Sequence, residues 1–358
     1  MLESVAHVNL AKGFRGGERQ TVLLIKYLAI NNPSLKQYLV CRKNAEILKY
    51  VKDIPNLTII TANNALQGHF SLAKKVNIIQ AHEAKAVHWA AIHNLLFKTP
   101  YVIARRVPQF VKHSWFNCFT YNNSSAIVAV SKAIANNVAK SFLDTKVVVE
   151  NKTTVIFDAL SHLEADSEEV ANIKKQYQGC TVIGHIGAYV DKHKGQKVLI
   201  EAAKKLLSEN HNLRFIFLGN GKDEAEFRTL THDIKEIKWL GFKDNVVDYM
   251  ECMDIFAFPS RNEGLGSVLL DVMDHKVPIV ASNVDGIPEI VIDNNTGLLF
   301  KNESSEDLSN KLKLLIQDEQ LRNKLVERAY KNLENFTPEH IATLYKNLYE
   351  SIIKNSKR

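Results

Sequence analysis

Short apolar runs alternate with longer segments of helical periodicity along almost the whole chain. Val5–Leu10, Gln37–Cys41, Leu57–Thr61, Ile78–Ala81, Tyr101–Arg105, Ala126–Val130 and Thr154–Phe157 are short and mostly apolar, rich in Val, Ile and Ala. Such runs predict strands buried on both faces. Between them, Glu18–Asn31, Lys85–Leu96 and Lys132–Phe142 have helix length. Strand–helix alternation predicts parallel βαβ units wound on both faces of a sheet.

The pattern breaks once. Asp158 to Glu169 (DALSHLEADSEE) is polar and acidic with no strand pattern, as an interdomain linker would be. The alternation then restarts, with strands expected at Thr181–Gly187, Phe215–Gly219, Lys238–Leu240, Ile255–Phe258, Pro278–Ala281 and Gly297–Phe300. Helices are expected at Lys197–Glu209, Asp223–Leu230 and Ser267–Asp274. At about 100–200 residues per domain, a chain of 358 residues fits two domains. The boundaries read from the pattern are 1–160 and 170–337. A final helix opens at Thr337-Pro338-Glu339, with Thr as cap and Pro at the first helical position. It sets Ile341, Leu344, Leu348 and Ile352 near one face, with Tyr345 and Tyr349 alongside.

Composition narrows the class. With 46% hydrophobic and 24% charged residues the chain can bury enough surface to offset its ordering entropy, which excludes disorder. Cys41, Cys118, Cys180 and Cys252 form no CxxC pair, so neither a disulfide framework nor a zinc site is expected. No apolar run approaches the roughly 20 residues of a membrane span. The first one, Ser4–Leu10, is too short for a signal peptide and runs into a glycine loop, so the expected location is the cytoplasm. The charge is uneven. Residues 1–150 carry 19 Lys and Arg against 7 Asp and Glu, and the rest 27 against 32, so a basic half precedes an acidic one. A basic half implies an anionic partner: nucleic acid, a phosphorylated ligand or a membrane surface.

Candidate chemistry collects at predicted strand ends. Pro259–Asp271 (PSRNEGLGSVLLD) places Glu263 before Gly264-Leu265-Gly266-Ser267, and Asp271 in the helix that follows. Glycines at a helix start let backbone N–H groups approach a phosphate. The two acids are eight positions apart, at most about 12 Å of helical rise, a span that suits a sugar nucleotide. Gly16-Gly17 after the first strand and Gly219-Asn220-Gly221 are further glycine turns of the kind that approaches ligands in such sheets. Lys194 at the end of the second half's first strand would neutralise a phosphate. His82 ends another strand, where a satisfied structural histidine is the commoner outcome. Arg105 and Arg106 end a third, a pair suited to a phosphate or an acceptor carboxylate.

Together these segments resemble GT-B glycosyltransferases of the large retaining family 4 (glycosyl transferases group 1), over nearly the whole chain. The signature there is a Glu, seven residues and a Glu, and here EGLGSVLLD runs from Glu263 to Asp271, with Asp as the second acid. IGAYVDKHKGQKVLIEAAKKL resembles the family's glycine-and-lysine segment, GGERQ its N-terminal glycine loop, and AIVAVSKAIANNV its serine turn around Ser131. The resemblance implies two Rossmann-like doubly wound domains facing a cleft, with the last helix, 338–358, crossing back to the first domain. It also implies roles. Glu263 contacts donor-sugar hydroxyls. Gly264, Leu265, Gly266 and Ser267 hold sugar and phosphate through their amides. Asp271 binds ribose hydroxyls from a side chain one methylene short. Lys194 binds the diphosphate. Gly187 and Gly219 flank the donor, and Gly16 and Gly17 close over its phosphates. His82 lies where some members keep an active-site histidine. The family often has Arg after the glycine matching Gly187, and Ala188 stands here, so Lys192 or Arg105 is left to supply that charge.

The implied activity is transfer of a sugar from a nucleoside diphosphate, a UDP-sugar being favoured, to a glycan or glycolipid with retention and without bound metal or cofactor. The expected setting is bacterial lipopolysaccharide or envelope polysaccharide synthesis. The stretch Trp89–Trp115 interleaves aromatics with Lys98, Arg105, Arg106 and Lys112, which suits peripheral contact with an anionic inner-membrane surface on its cytoplasmic face. Other readings are a sugar-nucleotide epimerase on the same fold, a non-catalytic partner subunit, and a nucleic-acid binder, for which no recognition motif is present and no nucleic acid is expected.

Overall fold

The computed structural model describes residues 2–209 and 212–356, and the chain divides into two compact units. Unit 1 comprises residues 1–161 and 335–358, and unit 2 residues 162–334. The end of the helix expected over 338–358 therefore lies outside the described residues at 357 and 358.

In unit 1, β1 (Ser4–Val8), α1 (Gly16–Asn31), β2 (Lys36–Cys41), β3 (Leu57–Thr61), α2 (His69–Leu72) and β4 (Ile78–Ala81) come first. They are followed by α3 (Ala84–Phe97), β5 (Tyr101–Arg105), α4 (Trp115–Asn122), β6 (Ala126–Ala129), α5 (Lys132–Ser141) and β7 (Thr153–Val155). The sheet has seven parallel strands in the order β3-β2-β1-β4-β5-β6-β7. Strands β1, β4 and β6 are buried at every residue, which is why they read as continuous apolar runs.

Unit 2 contains α6 (Ser167–Gln176), β8 (Thr181–Ile186), α7 (Asp191–Lys194), α8 (Gln196–Glu209), β9 (Leu213–Leu218), α9 (Glu224–Leu230) and β10 (Ile237–Gly241). It continues with α10 (Val246–Met250), β11 (Ile255–Phe258), α11 (Val268–Asp274), β12 (Ile279–Ser282), β13 (Leu298–Phe300), α12 (Ser305–Gln317) and α13 (Glu319–Asn332). Its six parallel strands run β10-β9-β8-β11-β12-β13. The aromatic centre of its core stacks Phe217 and Phe227 on Trp239, with Tyr189 edge-on to Trp239.

The chain returns to unit 1 through α14 (Pro338–Ser356). The face that α14 buries is Ile341, Tyr345, Tyr349 and Ile353, packed with Val5, Leu24 and Leu28 in one cluster. Leu344, Leu348 and Ile352 flank it half-buried. The tyrosines, not the leucines, form the centre of the stripe, and the Tyr349 hydroxyl finds a partner inside, donating to Gln80 Oε1 at 2.9 Å.

The acidic segment 158–169 is not one free linker. Asp158, Ala159 and Leu160 are buried in unit 1, where Gln20 clamps the Ala159 backbone by donating to its carbonyl at 2.7 Å and accepting from its N–H at 2.8 Å. Asp166 caps α6 of unit 2, accepting from the backbone N–H groups of Glu168 and Glu169.

Candidate functional site

The strand order reverses once in each sheet, between β1 and β4 in unit 1 and between β8 and β11 in unit 2. Ligands of open α/β sheets bind beyond the carboxyl ends of the strands at such points. Most of the candidate residues sit there.

In unit 2 the loops after β8 and β11 are stitched together. Gly195 closes α7 at φ +65°, and a Cβ on it would stand 2.1 Å from the Pro259 carbonyl oxygen, so only glycine allows the two loops to touch. Arg261 donates from its backbone to the His193 carbonyl at 2.8 Å and from Nη2 to Asp191 Oδ2 at 3.1 Å. This brings Lys194 Nζ into an ion pair with Glu263 Oε2, with 23% and 18% of the two side chains exposed. The same ammonium lies 5.4 Å from the centroid of the Phe258 ring. The Glu263 backbone N–H donates to Asp285 Oδ2 at 3.0 Å, and Ser260 Oγ reaches the Glu263 carboxylate at 3.4 Å.

Behind this pair the end of β8 is tightly constrained. A Cβ on Gly219, which has φ +140°, would come 2.0 Å from the Gly187 carbonyl oxygen, so the turns after β8 and β9 require glycine at this contact. His185, fully buried on β8, donates Nδ1–H to the Ala257 carbonyl at 3.0 Å, and burial lowers its pKa to about 4. Gln196 at the start of α8 hydrogen-bonds the Ala188 carbonyl at 2.8 Å, which fixes the turn holding Gly187. Gly264, Leu265 and Gly266 are buried, Gly266 with φ +84°, and Ser267 precedes α11. Only α11 is helical here, so Glu263 belongs to the loop and Asp271 to the first turn. Asp271 is 7% exposed, hence an internal carboxylate and not a solvated one.

In unit 1, Gly16 and Gly17 are the first residues of α1 and not part of the loop before it. Arg15 is the N-cap, and its backbone N–H donates to Glu18 at 3.0 Å. A Cβ on Gly17 would meet nothing within 4 Å. His82 follows β4 and is buried, its backbone N–H donating to the Val8 carbonyl at 3.0 Å. Glu83 beside it caps α3 through the N–H groups of Lys85 and Ala86 and also accepts from Leu10 at 3.1 Å.

The two arginines take different partners. Arg106 is half-buried, with Nε donating to Asp158 Oδ1 at 2.9 Å and Nη1 to the His82 carbonyl at 3.3 Å. Its charge is neutralised inside the unit. Arg105 hydrogen-bonds the Gln109 carbonyl and the Tyr121 side chain. The aromatic stretch divides likewise: Trp89 and His93 are core, whereas Phe110 and Trp115 are exposed and Lys112 is exposed beside them.

Residues 166–332, nearly all of unit 2, match the family described as glycosyl transferases group 1. Unit 2 is similar to the group 1 glycosyltransferase domain along nearly its whole length. The whole chain has the GT-B fold. It superposes on HepE of Anabaena in complex with UDP-glucose with a TM-score of 0.82 and 18% identity, over 97% of this chain and 99% of that one. A glycosyltransferase of Rickettsia africae gives 0.83 and 19%, covering 99% of both. In sequence, a capsular polysaccharide biosynthesis glycosyltransferase of Staphylococcus aureus is 26% identical over 244 residues, 64% of this chain and 63% of that protein. The chain thus spans less than two thirds of the curated relatives it matches. An α-1,3-N-acetylgalactosaminyltransferase of Campylobacter jejuni acting on a diphospho-undecaprenol-linked sugar is 32% identical over 167 residues, 46% of this chain and 43% of that one.

Within unit 2, sequence reasoning passed over His185, Gln196, Arg261 and Asp285, and in unit 1 it passed over His7, Gln37 and Asp158. Three of them had a readable signal: His7, Gln37 and His185 are polar residues in strands that are mostly apolar, SVAHV, KQYLVC and TVIGHI. Such a side chain has to find a buried partner.

Proposed function

We propose that this protein is a retaining glycosyltransferase that moves a sugar from a UDP-sugar to a glycan or glycolipid acceptor of the bacterial envelope. The observation that carries the reading is the Lys194–Glu263 pair at the switch point of unit 2, a cation and a carboxylate presented side by side above glycine-lined turns. A nucleotide sugar offers both partners. Its diphosphate takes the ammonium, and its sugar hydroxyls donate to the carboxylate. As the bond from the anomeric carbon to the β-phosphate oxygen breaks, its electron pair leaves with the diphosphate. Lys194 and the amides of Gly264–Ser267 stabilise that charge. Asp271 takes the ribose and His82 a substrate hydroxyl. The acceptor hydroxyl forms the new bond to the anomeric carbon, and its proton passes to the oxygen of the departing diphosphate.

UDP is favoured over other nucleotides because HepE, of the same fold, was solved with UDP-glucose. An envelope acceptor is favoured by the capsular and undecaprenol-linked relatives, and lipopolysaccharide core synthesis by a partial match to the Rhizobium meliloti enzyme of that pathway. A lipid-linked acceptor accords with the exposed surface of unit 1. Trp115 is 80% exposed and stacks with Phe119, Phe110 and Leu143 are exposed, and the loop bearing Phe110 is tied to the end of α5 by Val111 N–H to Ser141 Oγ at 2.9 Å. Lys112, Lys140 and Lys146 are exposed on the same segments of the chain, so peripheral contact with an anionic leaflet on the cytoplasmic side is part of the reading. Among the described residues no helix is long and apolar enough to span a membrane.

The test is transfer from UDP-, GDP- and ADP-sugars to lipid-linked envelope oligosaccharides, with product anomers assigned by NMR. A retained linkage from one UDP-sugar, abolished in Glu263→Ala, is expected. An isomerised nucleotide sugar without transfer identifies an epimerase. No turnover and no nucleotide binding identifies a non-catalytic subunit.

A further inference from the structure

At the switch point of unit 1 four polar groups form a chain with a fixed direction. Gln37 on β2 donates Nε2–H to the Ile25 carbonyl at 2.9 Å, which leaves Oε1 as its acceptor. That oxygen lies 3.1 Å from His7 Nε2, so His7 carries its proton on Nε2. Burial keeps both rings neutral, lowering the pKa of His7 to about 4 and that of His82 well below its ordinary value. A neutral His7 protonated on Nε2 has a bare Nδ1, and this atom lies 3.0 Å from His82 Nε2. His82 therefore carries its proton on Nε2, and its Nδ1 is left as an acceptor lone pair. That atom is buried, and no group among the described residues donates to it. The rings stack at 5.3 Å, and the Arg106 guanidinium holds the His82 carbonyl from the other side.

We infer that Gln37 and His7 are positioning residues that lock His82 in its Nε2–H tautomer, so that His82 Nδ1 accepts a hydrogen bond from a hydroxyl of the bound substrate. The inference rests on the proposed sugar transfer for the identity of that substrate, whereas the polarity of the relay follows from the protein alone. Leaving a buried acceptor unmet costs folding free energy, and a ligand that supplies a donor recovers it. The chain also sets the specificity of the position: a hydroxyl donor is accepted, and a phosphate or carboxylate oxygen is refused, because two acceptors would face each other. Replacing Gln37 by an apolar residue removes the acceptor for His7 Nε2–H. The His7 proton then moves to Nδ1 and the His82 proton to its own Nδ1, which turns the acceptor into a donor.

The experiment is imidazole nitrogen NMR on protein labelled with 15N histidine, His82 being assigned by its loss in His82→Asn. Wild type is expected to show His82 protonated on Nε2 and bare on Nδ1. Gln37→Leu reverses the two nitrogens, and Gln37→Glu, which still accepts from His7, keeps the wild-type pattern. In transfer assays Gln37→Leu lowers kcat/KM about tenfold, the size of one lost hydrogen bond, and Gln37→Glu restores it. In the His82→Asn background Gln37→Leu has no further effect. A His82 proton on Nδ1 in wild type overturns the inference, and so does an equal loss with Gln37→Leu in both backgrounds, which marks a packing role. If wild type transfers no sugar, the function proposed above fails and the NMR spectrum still decides the relay.

Discussion

The Lys194 ammonium and the Glu263 carboxylate are ion-paired across the loops that follow β8 and β11, so each charge is neutralised by the other within unit 2. A diphosphate has to compete with Glu263 for the lysine. Removing each partner therefore acts in opposite directions on bare UDP. Lys194→Ala is expected to weaken UDP binding at least tenfold, the loss of one charge-assisted contact of about 1.5–3 kcal/mol. Glu263→Gln frees the lysine and is expected to tighten UDP severalfold while abolishing transfer from the UDP-sugar. Calorimetric titration of both variants with UDP checks this. Weaker UDP binding in Glu263→Gln would mean that the carboxylate does not compete.

Gly195 is a structural requirement of the same pair. Its positive φ and the 2.1 Å approach of any Cβ to the Pro259 carbonyl make Gly195→Ala a double penalty. The variant is expected to lose about 2 kcal/mol or more of stability, and to lose nucleotide affinity as well, since the loop carrying Lys194 must move off the Glu263 loop. Denaturant midpoints read beside UDP titrations test it. An alanine variant with wild-type stability would show that the loops do not meet at this point.

Acid should destabilise both units. His7 and His185 each have a folded-state pKa near 4 because burial disfavours the charged ring, against 6.5 in the unfolded chain. Below pH 6.5 the unfolded chain binds protons that the native rings refuse, so stability falls as pH drops from 6.5 toward 4 and is unaffected by these groups above 7. Each histidine contributes a slope of about 1.4 kcal/mol per pH unit within that window. Urea unfolding at pH 7.5, 6.5 and 5.5 should give midpoints that fall slightly between the two higher values and more steeply at the lowest. His185→Gln should flatten the fall in unit 2.

Lys194 is placed to meet the negative charge of a diphosphate directly. Transfer is therefore expected to proceed unchanged in EDTA. Loss of activity on chelation, restored by a divalent cation, would assign the diphosphate a second cationic partner.

Most of the sheet architecture was legible because parallel strands buried on both faces are unbroken apolar runs. Leu57–Thr61, Ile78–Ala81, Tyr101–Arg105 and Ile255–Phe258 begin and end where the run does. Helices α12 and α13 carried no chemistry and were not singled out, and α4 is short and aromatic on more than one face. The glycine turns, Lys194 and Glu263 were readable as strand-end residues. Their ion pair was not, because it depends on two loops 69 residues apart being pulled together through Gly195 and Arg261. Arg106 shows the limit from the other side. Beside Arg105 it reads as an exposed anion binder, and only the fold reveals Asp158 as its internal partner, 52 positions away.

That partner decides how the membrane contact has to be tested. Reversing the charge of Arg106 would leave Asp158 buried and unpaired, a loss of about 3–5 kcal/mol, and any loss of liposome binding would then report unfolding. Lys112, Lys140 and Lys146 lie on the exposed basic surface and can be changed to Glu without touching a buried pair. The triple variant should keep its thermal midpoint and its turnover of a water-soluble acceptor while losing sedimentation with vesicles containing anionic lipid. Trp115→Ala should weaken that binding at high salt, where the apolar share of the contact persists and the electrostatic share is screened. If wild type fails to sediment with anionic vesicles, the patch serves another partner and the acceptor is delivered from solution.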